Sequence, residues 1–422
     1  MSTAGKPKIL IVGGFTFSGG EGGTNYVIGL GKALEGAGFC VEYLAEVRDG
    51  ATLRKDFREF TCHFAPAGPV LRGWRAAIKN LCASENSVLK WLDQVSAHEF
   101  HTVIAQLGGL PVTFLLKLHR LCQAKPWNLA IVVGEWQPLW QFGDRKLRHR
   151  VLNSVDSEIQ RRVVNKRINH VIALSRFLQR YYNNSGCHTV LIPPLIDASA
   201  EKWDCRTAME GRSQDLTLLF SGSWQRDRLD LMMEAVQYLR RGGNRVVLEF
   251  LGPHQTDIER NPRLQRYISQ APQGTFRFHG RASPERVPPM TASADFGVML
   301  RDRAKWSDAC FPSKVPEFQA LGVPLLRNLT SNLEEVLREG ENALVVPQVS
   351  VAAFVATVKR ALALTPTELQ RMKLCSLKCA STQFDYRNYA DSLGKFIWEV
   401  SGPAPAKSMV STNIQPTSAR ES

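Results

Sequence analysis

The segment CFPSKVPEFQALGVP, residues 310–324, connects two apolar runs, FGVML at 296–300 and VPLLR at 323–327. Each run has the length and composition of a buried β-strand. The stretch between them predicts a loop and then a helix that begins at Glu317 and ends near Gly322. A strand, a helix and a second strand in this order form the βαβ unit of a parallel sheet. The carboxylate of Glu317 either caps the new helix or accepts two hydrogen bonds from a ligand, such as a pair of ribose hydroxyls.

The same alternation of apolar runs and amphipathic helical stretches covers nearly the whole chain, which predicts an α/β fold with parallel sheets. The predicted strands lie at 8–12, 40–44, 102–106, 129–133 and 170–174, and then at 216–220, 246–251, 275–279, 296–300, 323–327 and 343–346. Helices are predicted at 24–35, through SEIQRRVVNKR at 157–167, and at 386–400. Both halves open alike, with KILIVGG at 8–14 and LTLLFSGS at 216–223, where an apolar strand enters a glycine-containing loop.

The length of 422 residues is too great for one hydrophobic core and suits two Rossmann-like domains. A polar stretch after VLIPPLID, residues 190–197, marks the boundary. We therefore predict a first domain at 1–198, a linker at 199–214 and a second domain at 215–383. A helix at 384–401 is expected to pack back on the first domain, and a Pro/Ser/Thr-rich tail at 402–422 is expected to be disordered.

Composition excludes several classes of protein. The chain is 44% hydrophobic and 22% charged, and it contains no apolar run approaching the roughly 18 residues of a membrane span. The start MSTAGKPKILIVGG passes from a polar lead directly into a strand, so we expect a cytoplasmic protein. The nine cysteines form no C-x-x-C pair, which argues against a disulfide framework or a zinc ribbon. The net charge of +14 fits an anionic partner: a nucleotide sugar, an acidic membrane surface or a nucleic acid.

Two glycine-containing loops follow predicted strands, where ligands of parallel sheets bind. The first is GGEGGT at 19–24, whose backbone amides are suited to an anion at a helix start, although a flexible turn explains it equally well. The second is GSWQRDRLD at 222–230. Its Arg226 and Arg228 suit a diphosphate, and the alternative is a solvated basic loop.

A third candidate is GEWQPLW at 134–140, directly after the predicted strand LAIVV. Glu135 is placed to accept or orient the hydroxyl of an acceptor, and Trp136 and Trp140 suit a platform for a sugar ring. The alternative is that Glu135 caps the next segment and the tryptophans belong to the core. Ser175 is better explained as the N-cap of the helix SRFLQRYY than as a nucleophile.

Several stretches together resemble glycosyltransferase family 4. PSKVPEFQALGVPLL at 312–326, followed by TSNLEEVLREGENALVV at 330–346, is similar to the C-terminal signature of that family. The other similar stretches are GGEGGTNYVIGLGKALEGAG at 19–38, HVIALSRFLQRYY at 170–182, IPPLID at 192–197 and GSWQRDRLDLMMEA at 222–235. They occur in the family's order and cover most of residues 8–400.

The resemblance implies a GT-B fold, in which two Rossmann-like domains face a central cleft. It implies transfer of a sugar from a nucleotide-sugar donor to a glycan, lipid-linked or small-molecule acceptor, with retention of configuration and without a metal or other cofactor. The implied donor-binding residues are Gly22, Gly23, Gly222, Ser223, Arg226, Phe311, Ser313 and Glu317. The groups expected to act in the reaction are Glu135, Arg228, Lys314 and Glu317.

Within that resemblance, Glu317 matches the second Glu of the family's Glu-x7-Glu motif, which is expected on the donor ribose. Arg228, or in second place Arg226, stands where the family has a diphosphate-binding lysine. Ala309 stands where the first Glu is expected, and Asp308 lies one residue away. The sequence resembles a bacterial subgroup with G-F-P-T-K-x-x-E and an E-W pair, so Lys314 is a candidate for a compensating contact with the phosphates.

Three alternative functions are also compatible with the sequence. The first is a catalytically inactive GT-B protein with a regulatory role, which the loss of the first Glu suggests. The second is a sugar-nucleotide epimerase, which has the same fold, but this sequence contains no matching acid/base pair. The basic segments RKLRHR at 145–150 and RRVVNKR at 161–167 suggest nucleic-acid binding. They lack interleaved aromatic residues, so we expect them to face anionic lipid at the inner face of the membrane and expect no nucleic acid.

Overall fold

A computed structural model describes residues 5–13, 15, 17, 22–47, 57–66, 87–106, 110–136, 147–208 and 215–400. Its first domain is built on a seven-stranded parallel sheet with the order β3-β2-β1-β4-β5-β6-β7. The strands are β1 (Lys8–Gly13), β2 (Cys40–Val47), β3 (Thr61–Pro66), β4 (Thr102–Gln106), β5 (Asn128–Val133), β6 (His170–Ala173) and β7 (His188–Leu191).

Helices cover both faces of this sheet. They are α1 (Gly22–Gly36), α2 (Ser87–Gln94), α3 (Val112–Ala124), α4 (Leu147–Ile159), α5 (Asn165–Ile168) and α6 (Arg176–Asn183), with a π-helical turn (Gln160–Val164) joining α4 to α5. Side chains of β1 alternate between two cores, with Leu10 and Val12 in one and Ile9 and Ile11 in the other. A strand buried on both faces explains why KILIV is a continuous apolar run.

The second domain is built on a six-stranded parallel sheet with the order β10-β9-β8-β11-β12-β13. The strands are β8 (Leu216–Ser221), β9 (Val246–Leu251), β10 (Phe276–Gly280), β11 (Phe296–Met299), β12 (Leu325–Arg327) and β13 (Ala343–Val345). The order reverses between β8 and β11, as it does between β1 and β4 in the first sheet. Ligands of doubly wound sheets bind where the order reverses, outside the carboxyl ends of the strands.

The helices of the second domain pack on both faces of its sheet. They are α7 (Leu229–Arg241), α8 (Gln255–Glu259), α9 (Pro262–Ser269), α10 (Val287–Ala292), α11 (Lys305–Ala309), α12 (Lys314–Ala320), α13 (Val351–Ala363) and α14 (Pro366–Cys379). Short 3₁₀ segments lie at Glu201–Ala208, Trp224–Arg226, Leu333–Glu335 and Tyr386–Tyr389, and a second π-helical turn at Ala380–Phe384 follows α14.

The chain returns to the first domain at its last helix, α15 (Ala390–Val400). Leu393, Phe396 and Ile397 are buried in the core that also contains Ile9 and Ile11 of β1. The two connecting segments run beside each other, because Ile196 N–H donates to the carbonyl of Phe384 at 2.9 Å. Two segments of the chain, one near Ile196 and one near Phe384, therefore connect the domains.

The prediction of an α/β fold with two parallel sheets is confirmed. The predicted start of the helix at Glu317 is wrong, since α12 begins at Lys314. Pro316 does not prevent this, because the first turn of a helix has no intrahelical partner for its N–H groups. Strands β3 and β7 were not predicted. They are the outer strands of the first sheet and bury few of their side chains, so they form no apolar run.

The predicted tail at 402–422 and residues 209–214 of the predicted linker lie outside the described residues. The described part of that linker forms the 3₁₀ segment Glu201–Ala208, and Trp203 packs in a core of the second domain.

Candidate functional site

The two domains touch where loops follow β5, β8 and β11 and where α1 and α12 begin. Here Glu317, on α12, meets Asn25, on α1, and Arg226, after β8, meets Glu135, after β5. We call the group formed by Asn25, Glu135, Arg226, Lys314 and Glu317 the interdomain site. It brings together residues predicted from separate loops, and only Asn25 was not among them.

Glu317 lies in the first turn of α12, with 14% of its side chain exposed. Its Oε1 accepts a hydrogen bond from Asn25 Nδ2 at 2.9 Å, and its Oε2 accepts one from Lys314 Nζ at 2.8 Å. One donor comes from each domain, so the carboxylate lies at the boundary between them. A carboxylate held in this way is suited to accept two hydrogen bonds from a ligand that displaces these donors.

The start of α1 approaches α12 closely. A Cβ atom on Gly22 would lie 2.5 Å from Ser313 Oγ, and a Cβ atom on Gly23 would lie 3.3 Å from Gln106 Nε2. Glycine at 22 therefore permits the backbone of the first domain to come within contact distance of Ser313. The amides that open α1 are thereby aimed at the same boundary as Glu317, and the N-terminus of a helix favours anions.

Arg226 forms a bidentate ion pair with Glu135 across the domain boundary, with Nη1–Oε1 at 3.0 Å and Nη2–Oε2 at 3.1 Å. Burial alone lowers the pKa of Arg226, but the charge and hydrogen bonds of Glu135 outweigh it and raise that pKa above its ordinary value. Cys310 Sγ lies 3.7 Å from Arg226 Nη1. Burial raises the pKa of the Cys310 thiol, so it is neutral and not a thiolate nucleophile at neutral pH.

Arg228 stands at the N-cap of α7 and is held by two carboxylates. It donates to both oxygens of Asp230, at 3.0 and 2.8 Å, and to Asp302 at 3.0 Å. The hydrogen bond to Asp230 is the main cause that raises the pKa of Arg228. A phosphate that takes the Nε–Nη2 edge of this guanidinium would therefore replace Asp230.

Two arginines behind these loops were not predicted. Arg301 follows β11 and pairs with Asp227 at 3.2 Å, while Arg327 ends β12 and is fully buried. Burial, with a smaller contribution from the charge of Arg301, lowers the pKa of Arg327 to about 9. Among the described residues, Nη1 of Arg301 has no hydrogen-bond partner. The signal that could have found both is a charged residue directly at the carboxyl end of a predicted parallel strand.

Ala309, which replaces the first Glu expected from the resemblance, is fully buried among residues of the first domain's core. Its carbonyl accepts a hydrogen bond from Ser175 Oγ at 2.8 Å. Asp308 accepts from the backbone N–H of Ser331 at 3.3 Å. The position of the missing carboxylate is therefore inside an apolar contact between the domains, and its acidic neighbour is bonded to another loop.

Trp136 is half-buried and contacts Phe177 and Tyr181 edge to face. The guanidinium of Arg161 lies 3.8 Å from the centre of its ring. One face of the indole is thus covered by a cation. Trp140, the other tryptophan predicted as a platform, lies outside the described residues.

The remaining predicted donor residues line the loop after β8 and the core behind it. Gly222 has φ of +120°, which glycine adopts readily, and Ser223 Oγ donates to Gln225 Oε1. Phe311 is 3% exposed and contacts Phe384 in the core of the second domain.

Ser175 is confirmed as a helix N-cap, because its Oγ accepts from Leu178 N–H at 3.3 Å. We expect Ser175→Ala to reduce the free energy of unfolding by about 1–2 kcal/mol, since it loses the cap and the bond to Ala309. Urea unfolding measures this. The matched control is Ser350→Ala, which removes only the cap of α13 and should cost less. Equal losses would show that the bond across the domains contributes nothing.

Within the described ranges, no group of three or more His, Cys, Asp or Glu side chains has the arrangement of a metal site. In the same ranges, no helix is both long and apolar enough to cross a membrane.

Residues 215–363 match the family described as glycosyl transferases group 1. No curated protein sequence matches the chain. Its fold is similar to that of sucrose-phosphate synthase from Thermosynechococcus elongatus, with a TM-score of 0.71 and 15% identity over 94% of this chain and 99% of that one.

Two further solved structures are similar over nearly the whole chain. Anabaena Alr3699/HepE in complex with UDP-glucose has a TM-score of 0.62 and 13% identity, with 93% of this chain and 98% of that one covered. The catalytic domain of starch synthase IV from Arabidopsis thaliana, bound to ADP and acarbose, has a TM-score of 0.67 and 12% identity, with 94% and 100% covered. At these identities the similarity concerns the fold, which is GT-B.

Proposed function

We propose that this protein, whose residues 215–363 match the glycosyl transferases group 1 family, transfers a sugar from a nucleotide-sugar donor to a glycan, lipid-linked or small-molecule acceptor with retention of configuration. The observation that carries the proposal is Glu317. It lies within the segment that matches the family and accepts hydrogen bonds from both domains at their boundary. We further propose that the enzyme works in the cytoplasm.

Glu317 would bind the donor ribose. Its two oxygens accept bonds from Asn25 and Lys314, both of which are side chains that a ligand can displace. The vicinal hydroxyls of a ribose would take their places, one on each oxygen. Lys314, released from Glu317, is then close to where the donor phosphates would lie.

Arg226, Arg228, Lys314 and the backbone amides of Gly22 and Gly23 would hold the donor diphosphate. Negative charge builds on the diphosphate as the glycosidic bond to it breaks, and fixed donors at this position lower the energy of the transition state. These side chains and the N-terminus of α1 would balance the negative charge of the diphosphate, so we propose that the reaction needs no metal ion.

Glu135 would act on the acceptor. A diphosphate competes with Glu135 for Arg226, since the guanidinium can form a bidentate pair with either. The exchange would release the Glu135 carboxylate to orient the acceptor hydroxyl, while an oxygen of the leaving diphosphate takes its proton. Trp136, the residue after Glu135, would contact the acceptor sugar with the edge of its ring. Contact between the domains around this site would exclude water and suppress donor hydrolysis.

Release of nucleoside diphosphate from UDP-, GDP- and ADP-sugars, with mixed acceptors, tests the function. We expect one donor class to raise the melting temperature and to be turned over, and NMR of the product to show the donor's anomeric configuration. Inversion would contradict the proposed retention. If no donor is bound, the nucleotide-sugar assignment is wrong. Donor binding without turnover would support the inactive alternative.

Arg226→Ala and Arg228→Ala test the diphosphate contacts. We expect each to lower the rate of release roughly 10- to 100-fold, because each removes a charge-assisted hydrogen bond in the transition state. The control is Arg245→Ala, whose ion pair with Asp215 lies at the opposite end of the sheet, before β9. If Arg226→Ala or Arg228→Ala releases nucleotide as fast as the control does, that arginine does not contact the diphosphate.

A further inference from the structure

An unusual apolar surface lies on the first domain, on α4 and the π-helical turn that follows it. Four β-branched residues at every fourth position along α4 and the π-helical turn are exposed: Val151 by 46%, Val155 by 51%, Ile159 by 43% and Val163 by 57%. We call these four residues the apolar stripe. Single exposed hydrophobic residues are normal, but a contiguous row of them marks an interaction surface.

The opposite side of the same helix faces the protein. Val164 and Ile168 are buried in the core beside Val171 of β6, and Ser154 and Asn165 are also buried. Residues four apart in a regular α-helix drift around its axis by about 40° per step. The π-helical turn has more residues per turn and so keeps the end of the apolar stripe in line with its start.

The charges around the apolar stripe are strongly one-sided. Residues 147–168 contain six Lys or Arg and two acidic residues. Arg162 has 71% of its side chain exposed, and Arg167 is also exposed. The adjoining helix α3 adds Lys117 and Arg120 and contains no acidic residue.

The two acidic residues offset only part of this charge. Asp156 accepts from the backbone N–H of Val112 at 3.1 Å, at the start of α3. Glu158 is paired with Arg161 and with Arg162, the latter at 2.7 Å. The outward surface therefore combines an apolar row with a net positive charge.

We propose that this helix is a membrane-docking face that lies in the plane of an anionic lipid surface. The apolar stripe would enter the boundary between headgroups and acyl chains, and Arg162 and Arg167 would contact lipid phosphates. An apolar row flanked by basic residues is the composition of helices that lie in the membrane interface. The docking itself does not depend on sugar transfer, whereas its use for a lipid-linked acceptor rests on the proposed function.

Other occupants fit less well. A second copy of the chain docked by the same face would bring the same arginines opposite each other, because a twofold contact pairs a surface with itself. A nucleic acid would satisfy the arginines but leave the apolar stripe in water, and the stripe offers no aromatic ring on which a base can stack.

Co-sedimentation of the full chain with vesicles tests the proposal. We expect binding to vesicles of phosphatidylcholine with phosphatidylglycerol and at least tenfold weaker binding to phosphatidylcholine alone. The triple variant Val155→Ser/Ile159→Ser/Val163→Ser should weaken binding to the anionic vesicles roughly tenfold or more. Arg162→Gln/Arg167→Gln should weaken it roughly 10- to 30-fold and reduce its sensitivity to salt.

The matched control is Leu374→Ser/Lys378→Gln on α14 of the second domain, which removes one exposed apolar and one exposed basic residue. Its binding should equal that of the wild type. Circular dichroism of all variants monitors folding, and nucleotide release with a water-soluble acceptor is a separate readout of the proposed function. The proposal is overturned if the wild type ignores anionic vesicles, or if all variants bind equally. It is also overturned if the serine variant only dissociates a dimer in the absence of lipid.

Discussion

Glu317→Ala is expected to weaken nucleotide-sugar binding about 100-fold, which is roughly 2.7 kcal/mol. The carboxylate is the group best placed to accept both ribose hydroxyls, and hydrogen bonds to a charged acceptor are the stronger kind. Calorimetric titration of the donor found by the thermal-shift screen measures the change. Glu317→Gln should lose less, about tenfold, because the amide keeps one oxygen but no charge.

Glu317 also joins the domains through Asn25, so a structural effect must be separated from a binding effect. Glu335→Ala provides the comparison, because Glu335 makes another contact between domains, to Arg176 at 2.6 Å, on a different loop. We expect that variant to keep the donor affinity of the wild type. If both variants lose affinity equally, Glu317 acts by holding the domains together and does not bind the donor.

Ala309→Glu is expected to destabilise the protein by about 3–5 kcal/mol, because it places a carboxylate without a partner in a buried apolar contact. Restoring the family's first Glu in this chain should therefore not restore a contact with the donor sugar. Guanidinium unfolding gives the stability, and titration of the donor gives the affinity.

Lys305→Glu is the control, since it puts the same side chain on an exposed position of the same helix, α11. It should change stability by less than about 0.5 kcal/mol. A stable Ala309→Glu protein with higher donor affinity would show that residue 309 faces the donor. In that case Ala309 would not belong to the contact between the domains.

The interdomain site also suggests an order of events. Each cation near the proposed diphosphate position already has an acidic partner: Glu135 for Arg226, Asp230 for Arg228 and Glu317 for Lys314. Under the proposed function, a donor diphosphate would take the place of these partners. The exchange at Arg226 would remove its ion pair with Glu135, so donor binding and acceptor activation would be coupled through that pair.

Much of the architecture could be predicted from local pattern. Strands buried on both faces, such as KILIV and LTLLF, appear as uninterrupted apolar runs, and Ser175 has the short polar side chain that caps a helix. The outer strands β3 and β7 could not be found in this way, because they bury too little surface to require an apolar sequence. The start of α12 was predicted at Glu317 and lies at Lys314; Pro316 falls in its first turn, where proline is tolerated.

The sequence predicted several residues of the candidate site, but it did not predict how they are arranged in space. Glu317, Lys314 and Arg226 were recognisable from their loops after strands. Their partners were not, because Asn25 is 292 residues from Glu317 and Glu135 is 91 residues from Arg226. Nothing in a local pattern specifies which distant side chain will meet a given charge.

The sequence of residues 310–324 and of the runs that flank it was enough to predict a βαβ unit whose helix carries the carboxylate of Glu317. This prediction depends only on periodicity, loop position and residue type. Only the tertiary structure decided that Glu317 faces the other domain, that Ala309 is buried and that the apolar stripe is exposed. The physical reason is that burial and charge pairing depend on which surfaces meet when the chain folds, and those surfaces come from residues far apart in the sequence.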